Sequence, residues 1–564
     1  MMIKVKQASI AHPQFISQHI SQHISQHISQ HQAVKDLAPP RSRAKQNRWR
    51  RSLDKLALAG SLAVGTFAPL GIANPAAAGP LPEQSLWGNP TCAVTPIEIG
   101  RKNELRKASL NDSASAQLYE AIVQRHSQQL HDCRDRTWPQ TQAVWLRLYA
   151  NDAEPGVLED VLDRIVNRGY NQVFVEVFYD GRVLLPVANN PTPWKAVTEE
   201  AVQDGEVSAE HDIWAESVRL GQERGLKVYG WAFTLNFGYS YSELSDRQAA
   251  LALNGNNENS IANSRFDPQE VAGGKSFYLD AYEPDHLFID PYHPQSQKDL
   301  TDAVKALMEA QPDGMVFDYV RYPTTFGQDT LISNVKQLWI YGNASRQTLL
   351  RSLPDPVAKQ IMSVYMDNGA VTAADLIAAE SNSSNLIIPG ATAPLPNDPE
   401  KSAAIAESLL WQIAVNHAYQ GVVKFLNTVT LPLQQNNVAI GTVFFPGGNR
   451  KSGQTYDARM QPWHLFPTKM ERHPMTYAIC DDGVCVAKQV EQVVNRSSPE
   501  TLVCPVLAGT WGQKFGGHPS LETQMQAIAG LVNPEQVNCV SHFVYAWMEP
   551  ESDKQRKAGT ATGN

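Results

Sequence analysis

From Val144 to Trp547 short apolar runs alternate with helical patterns, and this alternation limits the possible folds more than any other feature of the chain. Apolar runs at 144–149, 173–178, 228–233, 315–319, 438–444, 474–479, 502–507 and 542–547 each have the length and composition of a buried parallel strand. Between the first two, Val157, Leu158, Val161, Leu162, Ile165 and Val166 recur at helical spacing, and Gly169 closes that helix. Further helices are expected at 213–224, 297–310, 403–426, 486–494 and 521–532. Eight strands joined by connections long enough for parallel crossovers predict an α/β chain folded as a (β/α)8 TIM barrel. A doubly wound open sheet is the alternative. No glycine-rich phosphate loop follows the first strand, so no nucleotide site is expected there.

The rest of the chain frames this domain, which the sequence places at 141–564. Residues 1–78 read as a leader, in which the basic cluster Arg48–Lys55 precedes an apolar core over 56–67 and then Ala76, Ala77 and Ala78. That order is the basic, apolar and small-residue pattern of a secretory signal, and the core is too short for a good membrane span. Four near-copies of Ser-Gln-His-Ile from Ser17 to His31 lie upstream and read as low-complexity leader rather than a metal tract. Residues 79–140 are polar and partly helical, with 117–132 the best helix, and form an N-terminal helical extension. The stretch from about 324 to 400 is too long for a plain loop and reads as a helical insertion after strand 4.

Of 48 basic and 57 acidic residues, ten and two lie within 1–78, which leaves a formal charge of −17 on the remainder. Such a surface argues against nucleic-acid or anionic-membrane partners and suits a neutral or cationic substrate. The six cysteines all follow the leader, and an even set in an exported chain favours disulfides. Fifteen connectivities are possible; the strand order favours Cys92–Cys133, Cys480–Cys485 and Cys504–Cys539. No Cys/His spacing suggests zinc, and no cofactor is expected. The oligomeric state is not readable.

In a barrel of this kind chemistry gathers at the C-terminal ends of the strands. The run Asp313-Gly-Met-Val-Phe-Asp318-Tyr319-Val-Arg321-Tyr-Pro323 ends a buried strand on a carboxylate. Burying that charge is costly unless it is paired or hydrogen-bonded, which makes Asp318 a candidate for chemistry. Strand two ends in Glu176, Tyr179, Asp180 and Arg182, and strand three offers Trp231 and Asn236. Asp290 precedes the fourth helix. Strand six gives Tyr477, with Asp481 and Asp482 beyond it; strand seven gives Trp511, and strand eight Trp547 and Glu549. Acids interleaved with aromatics suit a sugar site. Glycoside hydrolysis uses two carboxyl groups: Asp318 is the first, and Glu176 and Glu549 compete for the second. The absence of a Gly-x-Ser-x-Gly elbow disfavours a serine hydrolase.

The block from Leu287-Phe-Ile-Asp290-Pro-Tyr-His293-Pro to Asp318-Tyr-Val-Arg321-Tyr-Pro resembles the bacterial glycosyl-hydrolase-like family 10, and the likeness extends more weakly over about 143–547. The resemblance implies an exported TIM barrel acting on cell-wall or extracellular glycans, among them peptidoglycan strands lacking stem peptides. Pro474-Met-Thr-Tyr477 and Tyr545-Ala-Trp547-Met-Glu549 are more distantly similar to family 18 chitinases. Those enzymes place a catalytic Glu two residues beyond the last Asp of their fourth strand, where this chain has Val320. Their standard mechanism is therefore not available here.

These readings converge on an exported glycoside hydrolase of the periplasm, cell envelope or extracellular space, acting on an amino-sugar polymer such as peptidoglycan glycan. Asp318 is expected to be the central catalytic carboxylate, with Glu176 or Glu549 as partner and Tyr477 donating a hydrogen bond near the reacting sugar. Arg321 and Tyr319 would position Asp318, Trp231 and Trp547 would form the platform, and Asn236, Asp290, Tyr179 and Trp511 would line the binding site. A glycan-binding protein that has lost catalysis is the alternative. N-terminal sequencing of the mature protein is expected to begin near Gly79; recovery of the Ser-Gln-His-Ile repeats on it would refute the signal assignment.

Overall fold

The computed structural model describes residues 92–261, 286–324, 330–353, 356–380, 395–531, 533 and 535–558. The expected leader and its cleavage point lie outside them, as do parts of the expected extension and insertion. Numbering only the barrel strands, β1 is Thr141–Leu146, β2 Gln172–Tyr179, β3 Lys227–Phe233, β4 Gly314–Asp318, β5 Ala439–Phe444, β6 Glu471–Pro474, β7 Val506–Ala508 and β8 Cys539–Phe543. They pair in parallel in the order β6-β5-β4-β3-β2-β1-β8-β7. Parallel bridges Arg472–Val503 and Met475–Val506 join β6 to β7. The Arg472 N–H donates to Leu502 O at 2.8 Å and the Cys504 N–H to Arg472 O at 2.7 Å. The ring is thus closed, a (β/α)8 TIM barrel rather than an open sheet.

Four strands are displaced from the runs that the sequence suggested: β1 covers Thr141–Leu146 instead of 144–149 and β7 Val506–Ala508 instead of 502–507, and two more differ further. β6 runs over Glu471–Pro474 instead of 474–479, and β8 over Cys539–Phe543 instead of 542–547. Glu471-Arg-His is too polar to read as a buried strand, but Glu471 and His473 meet each other inside the barrel. His473 Nε2 lies 3.1 Å from Glu471 Oε2, and the Tyr229 hydroxyl donates to Glu471 Oε1 at 3.3 Å. After Phe543 the chain turns into a short helix, Tyr545–Met548, so the aromatic run outlasts the strand.

Side chains fill the barrel. Trp145 packs on Phe174 and Trp231 with ring centroids 4.3 and 5.0 Å apart, and its indole N–H donates to Ser541 Oγ at 3.1 Å. Helices 157–167, 213–223, 294–308, 484–494 and 521–529 cover the outside, together with the long helix Pro399–Val429. Helices Pro96–Ser109 and Ser113–Arg134 precede β1; Asn343–Ser352, Pro356–Asn368 and Ala373–Glu380 lie between β4 and Pro399–Val429. The cysteines pair as Cys92–Cys133, Cys480–Cys485 and Cys504–Cys539, the state of a chain matured in an oxidising compartment. Among the described residues no helix is long and apolar enough to cross a membrane.

Gly441 on β5 is one position where this packing leaves no room for a side chain. A methyl group there would meet His473 Nε2 at 2.5 Å and Val316 Cγ1 at 2.7 Å. Gly441→Ala is expected to cost on the order of 1–3 kcal/mol through overpacking, read as a lowered Tm; an unchanged Tm would show that the interior can give way.

Candidate active site

Register on four neighbouring strands assembles the site. Leu146 pairs with Val175, so the next residue of β1, Arg147, comes beside Glu176. Glu176 pairs with Trp231 on β3, and Phe233 with Asp318 on β4. Parity then turns Glu176, Trp231 and Asp318 toward the barrel axis, because Phe174 and Tyr229, two residues earlier on their strands, pack in its interior.

Asp318 is 9% exposed and ends β4. The Tyr319 N–H donates to Asp318 Oδ1 at 2.7 Å and the Trp231 indole N–H to Oδ2 at 3.3 Å, an arrangement suited to an ionised carboxylate. Tyr319 holds a left-handed backbone, φ 50°, a conformation that costs about 1–2 kcal/mol for a residue with a Cβ. That turn brings its N–H back onto the preceding carboxylate. Arg321 is buried, with its guanidinium 4.6 Å from the Tyr319 ring centroid.

Glu176 is 1% exposed, and Arg147 grips both its oxygens through Nε and Nη2. Burial pushes the Glu176 carboxyl up to about 7; Arg147 pulls the other way, and the charges of Asp180 and Asp318 add to the rise. Burial also works against the Arg147 charge, but Glu176, Tyr179 and Asp180 outweigh it and keep the guanidinium protonated. The Arg147 guanidinium lies 4.3 Å from the Tyr179 ring centroid and Nη2 lies 3.9 Å from Asp180 Oδ2. Asp180 and Gly181, both at positive φ, form the two-residue turn that folds Arg182–Val183 back on β2, the Asp-Gly hairpin chemistry. His286 Nε2 lies 3.7 Å from Asp180 Oδ1 and 3.5 Å from the Tyr319 hydroxyl.

Tyr477 completes this face. Burial lifts its hydroxyl well above the usual tyrosine range and the Asp318 charge adds to that, so it remains a neutral donor. Phe543 joins the rings around it, with centroids 6.2 Å from Tyr477, 6.3 Å from Trp231 and 5.5 Å from Trp547. Trp547 also packs on Phe515 at 4.7 Å.

The structure therefore groups Asp318, Glu176, Tyr477, Trp231, Tyr319, Arg321 and Tyr179, with Trp547 reached through Phe543. It places four of the expected residues elsewhere. Glu549 pairs with Arg164 and Arg168, at the end of the helix outside β1, because the chain has left the β8 path by then. Trp511 donates to the Tyr170 hydroxyl at 3.0 Å and packs on His542, which faces outward between the inward Ser541 and Phe543. Asn236 Oδ1 accepts from Gly238 N at 3.1 Å and Leu287 N at 3.0 Å, tying two loops together. Asp290, fully buried, accepts from the N–H groups of Tyr292 and Ser345 at 2.9 Å each, which fastens the helix Asn343–Ser352. Arg147, His286 and Phe543 were not singled out from the sequence, although Arg147 directly follows the first strand. Among the described residues no cluster of three or more His, Cys, Asp or Glu could hold a metal ion.

No protein-family model matches the chain, and no curated protein does. Solved structures similar to it include a cycloisomaltooligosaccharide glucanotransferase of Paenibacillus sp., at 8% identity over 66% of this chain and 39% of that one, TM-score 0.35. An exo-β-N-acetylglucosaminidase of glycoside hydrolase family 20 from Vibrio harveyi is 7% identical over 75% of this chain and 53% of that one, TM-score 0.36. An α-galactosidase from Lactobacillus brevis is 10% identical over 78% of this chain and 43% of that one, TM-score 0.33. The chain thus spans about two fifths to one half of the length of these neighbours. The fold rests on the closed sheet itself.

Asp290→Ala would strand two buried N–H groups, each worth about 1–3 kcal/mol. It is expected to lower Tm; an unchanged Tm would show that Asp290 does not fasten that helix.

Proposed function

We propose that the protein is an exported glycoside hydrolase acting on an amino-sugar polymer such as peptidoglycan glycan strands. One observation carries this reading: two carboxyl groups on one strand-end face lie in environments that push them toward opposite roles. Asp318 accepts two N–H hydrogen bonds, whereas burial lifts the Glu176 carboxyl to about 7. Such a split provides an acid and a charged partner at neutral pH.

In this reading Glu176 protonates the glycosidic oxygen, and Asp318 meets the positive charge that builds on the anomeric carbon. Tyr477 donates a hydrogen bond beside Asp318, and Trp231, Phe543 and Trp547 offer ring faces to the sugar. The preference for an amino-sugar polymer and the export route draw support from the likeness to glycosyl-hydrolase-like family 10, from the acidic surface and from the disulfides. A glycan-binding protein without turnover is the second reading. Val320, fully buried at the position of the chitinase acid, favours it.

Turnover of defined amino-sugar oligomers by the chain from Gly79 separates the two. Asp318→Asn is expected to abolish hydrolysis, and Glu176→Gln to lower it by about 10²–10⁴-fold, while Glu549→Gln retains most activity. Because the acid works protonated, the parent rate should fall as pH rises through about 7, and Glu176→Gln should lose that limb. Full activity in Asp318→Asn would sink the site assignment, and binding without turnover by the parent would establish the second reading.

A further inference from the structure

We propose that Arg147 is a positioning residue that takes up the negative charge Glu176 acquires on giving its proton to the leaving sugar, with Asp180 balancing the guanidinium until then. The inference rests on the reading of Glu176 as the acid and adds the device by which that acid works.

Arg147 is held on three sides, by the Glu176 carboxyl, by the Tyr179 ring at 4.3 Å and by Asp180 Oδ2 at 3.9 Å. Its backbone is held as well: Arg556 Nη2, on the C-terminal helix Pro550–Ala558, donates to Arg147 O at 2.7 Å. A guanidinium is never a proton source, so its part is electrostatic. While Glu176 keeps its proton, Asp180 and the Tyr179 ring face balance the Arg147 charge. During the reaction the proton passes from Glu176 to the glycosidic oxygen, and the bond from that oxygen to the anomeric carbon breaks with its electron pair staying on oxygen. The leaving sugar departs as an alcohol. Glu176 is then an anion facing a two-pronged cation, the stronger form of this hydrogen-bonded pair. Water next adds its hydroxyl to the anomeric carbon, and its proton restores Glu176. Arg147 neither gains nor loses a proton. Its attraction to Glu176 is greatest when the proton has gone, so it favours the transition state over the bound substrate.

The titratable and charged groups facing the pair are Asp180 and Tyr179 from the end of β2, Asp318 from β4, Tyr149 from the loop after β1, and Arg556 from the C-terminal helix. His286 lies beyond them, 3.7 Å from Asp180 and 3.5 Å from the Tyr319 hydroxyl. Arg556, the second cation, is bound to both oxygens of Asp152 and to Arg147 O, so it does not replace Arg147 on the Glu176 carboxyl.

The test compares leaving groups on one sugar. Parent, Arg147→Lys, Arg147→Met, Asp180→Asn and Glu176→Gln, each in the chain from Gly79, are assayed on an N-acetylglucosamine oligomer and on its 4-nitrophenyl glycoside. Nitrophenolate departs without a proton, so a defect in acid catalysis shows on the oligomer and largely disappears on the aryl glycoside. Arg147→Met is expected to lose on the order of 10²-fold on the oligomer and far less on the aryl glycoside. Its alkaline limb should move to higher pH, because a carboxyl without its cation holds its proton longer. Arg147→Lys, which keeps the charge but not the fork, should fall between, and Asp180→Asn should change the limb less than Arg147→Met. If Arg147→Met does not fold, Arg147→Lys carries the comparison. Equal losses on both substrates with the alkaline limb unmoved would reduce Arg147 to scaffold and overturn the proposal while Glu176→Gln still discriminates. If Glu176→Gln itself fails to discriminate between the substrates, the acid assignment has failed and the proposal falls with it.

Discussion

The Arg147–Glu176 pair is the constraint around which the strand-end face is organised. Transfer of either charge alone into the barrel would cost several kcal/mol, and removing one partner of such a pair commonly costs about 3–5 kcal/mol. Strand register satisfies the requirement. Val175 opposite Leu146 puts the guanidinium beside the carboxylate, and Trp231 opposite Glu176 puts the next indole at the same level. From Trp231 a hydrogen bond runs on to Asp318. A single line, Arg147–Glu176–Trp231–Asp318, therefore crosses four consecutive strands. Moving any of these strands by one residue would turn its member out of the barrel and break the line.

The remaining strands complete the face with rings rather than charges. Tyr477 follows β6, Phe543 ends β8, and Trp547 lies in the turn beyond. Charge is thus concentrated on one half of the rim and apolar surface on the other, an asymmetry suited to a ring-shaped ligand with polar edges and apolar faces. The loop holding Asp481 is fastened at Cys480–Cys485 and paired to Lys514 at 2.6 Å, so the aromatic half has covalent support of its own.

The alternation of eight strands with helices was legible in the sequence because apolar runs mark it, although β1, β6, β7 and β8 lie displaced from the runs that marked them. Asp318 and Glu176 stood out for the related reason that a carboxylate on a buried apolar run must be paired or hydrogen-bonded, and the structure buries both with such partners. What the sequence left open was direction. Trp511 and Glu549 lie near strand ends, yet one packs outside the barrel and the other pairs with the helix outside β1. Parity could be counted for Trp511 only from a strand end, and β7 ends at Ala508; for Glu549 the helical turn after Phe543 had already replaced the two-residue period. Glu471 and His473 hid β6 for the opposite reason: they satisfy each other inside the barrel, and polar residues in a run do not read as core. Arg147 was passed over because the first strand was read as 144–149, which put it inside the run; the strand ends at Leu146, and the register then reveals its partner.

Burial of charge does not by itself mark a functional residue in this fold. Asp163, on the helix Val157–Asn167, is as deeply buried as Glu176. It accepts from the Tyr119 hydroxyl at 2.7 Å and from Arg224 Nε at 3.1 Å, with Lys102 Nζ at 3.4 Å. Tyr119 and Lys102 come from the two helices ahead of β1, so those helices close over Asp163, and Lys102 together with Arg224 surrounds it with more positive charge than it carries. Asp163 thereby fixes the early helices to the helix outside β1. Glu176 has one cation, two further carboxylates close enough to oppose its ionisation, and a position at the strand ends, where a ligand would arrive. Charge balance and position thus separate the two: Asp163 joins helices outside the barrel, whereas Glu176 stands at a strand end among carboxylates that oppose its ionisation.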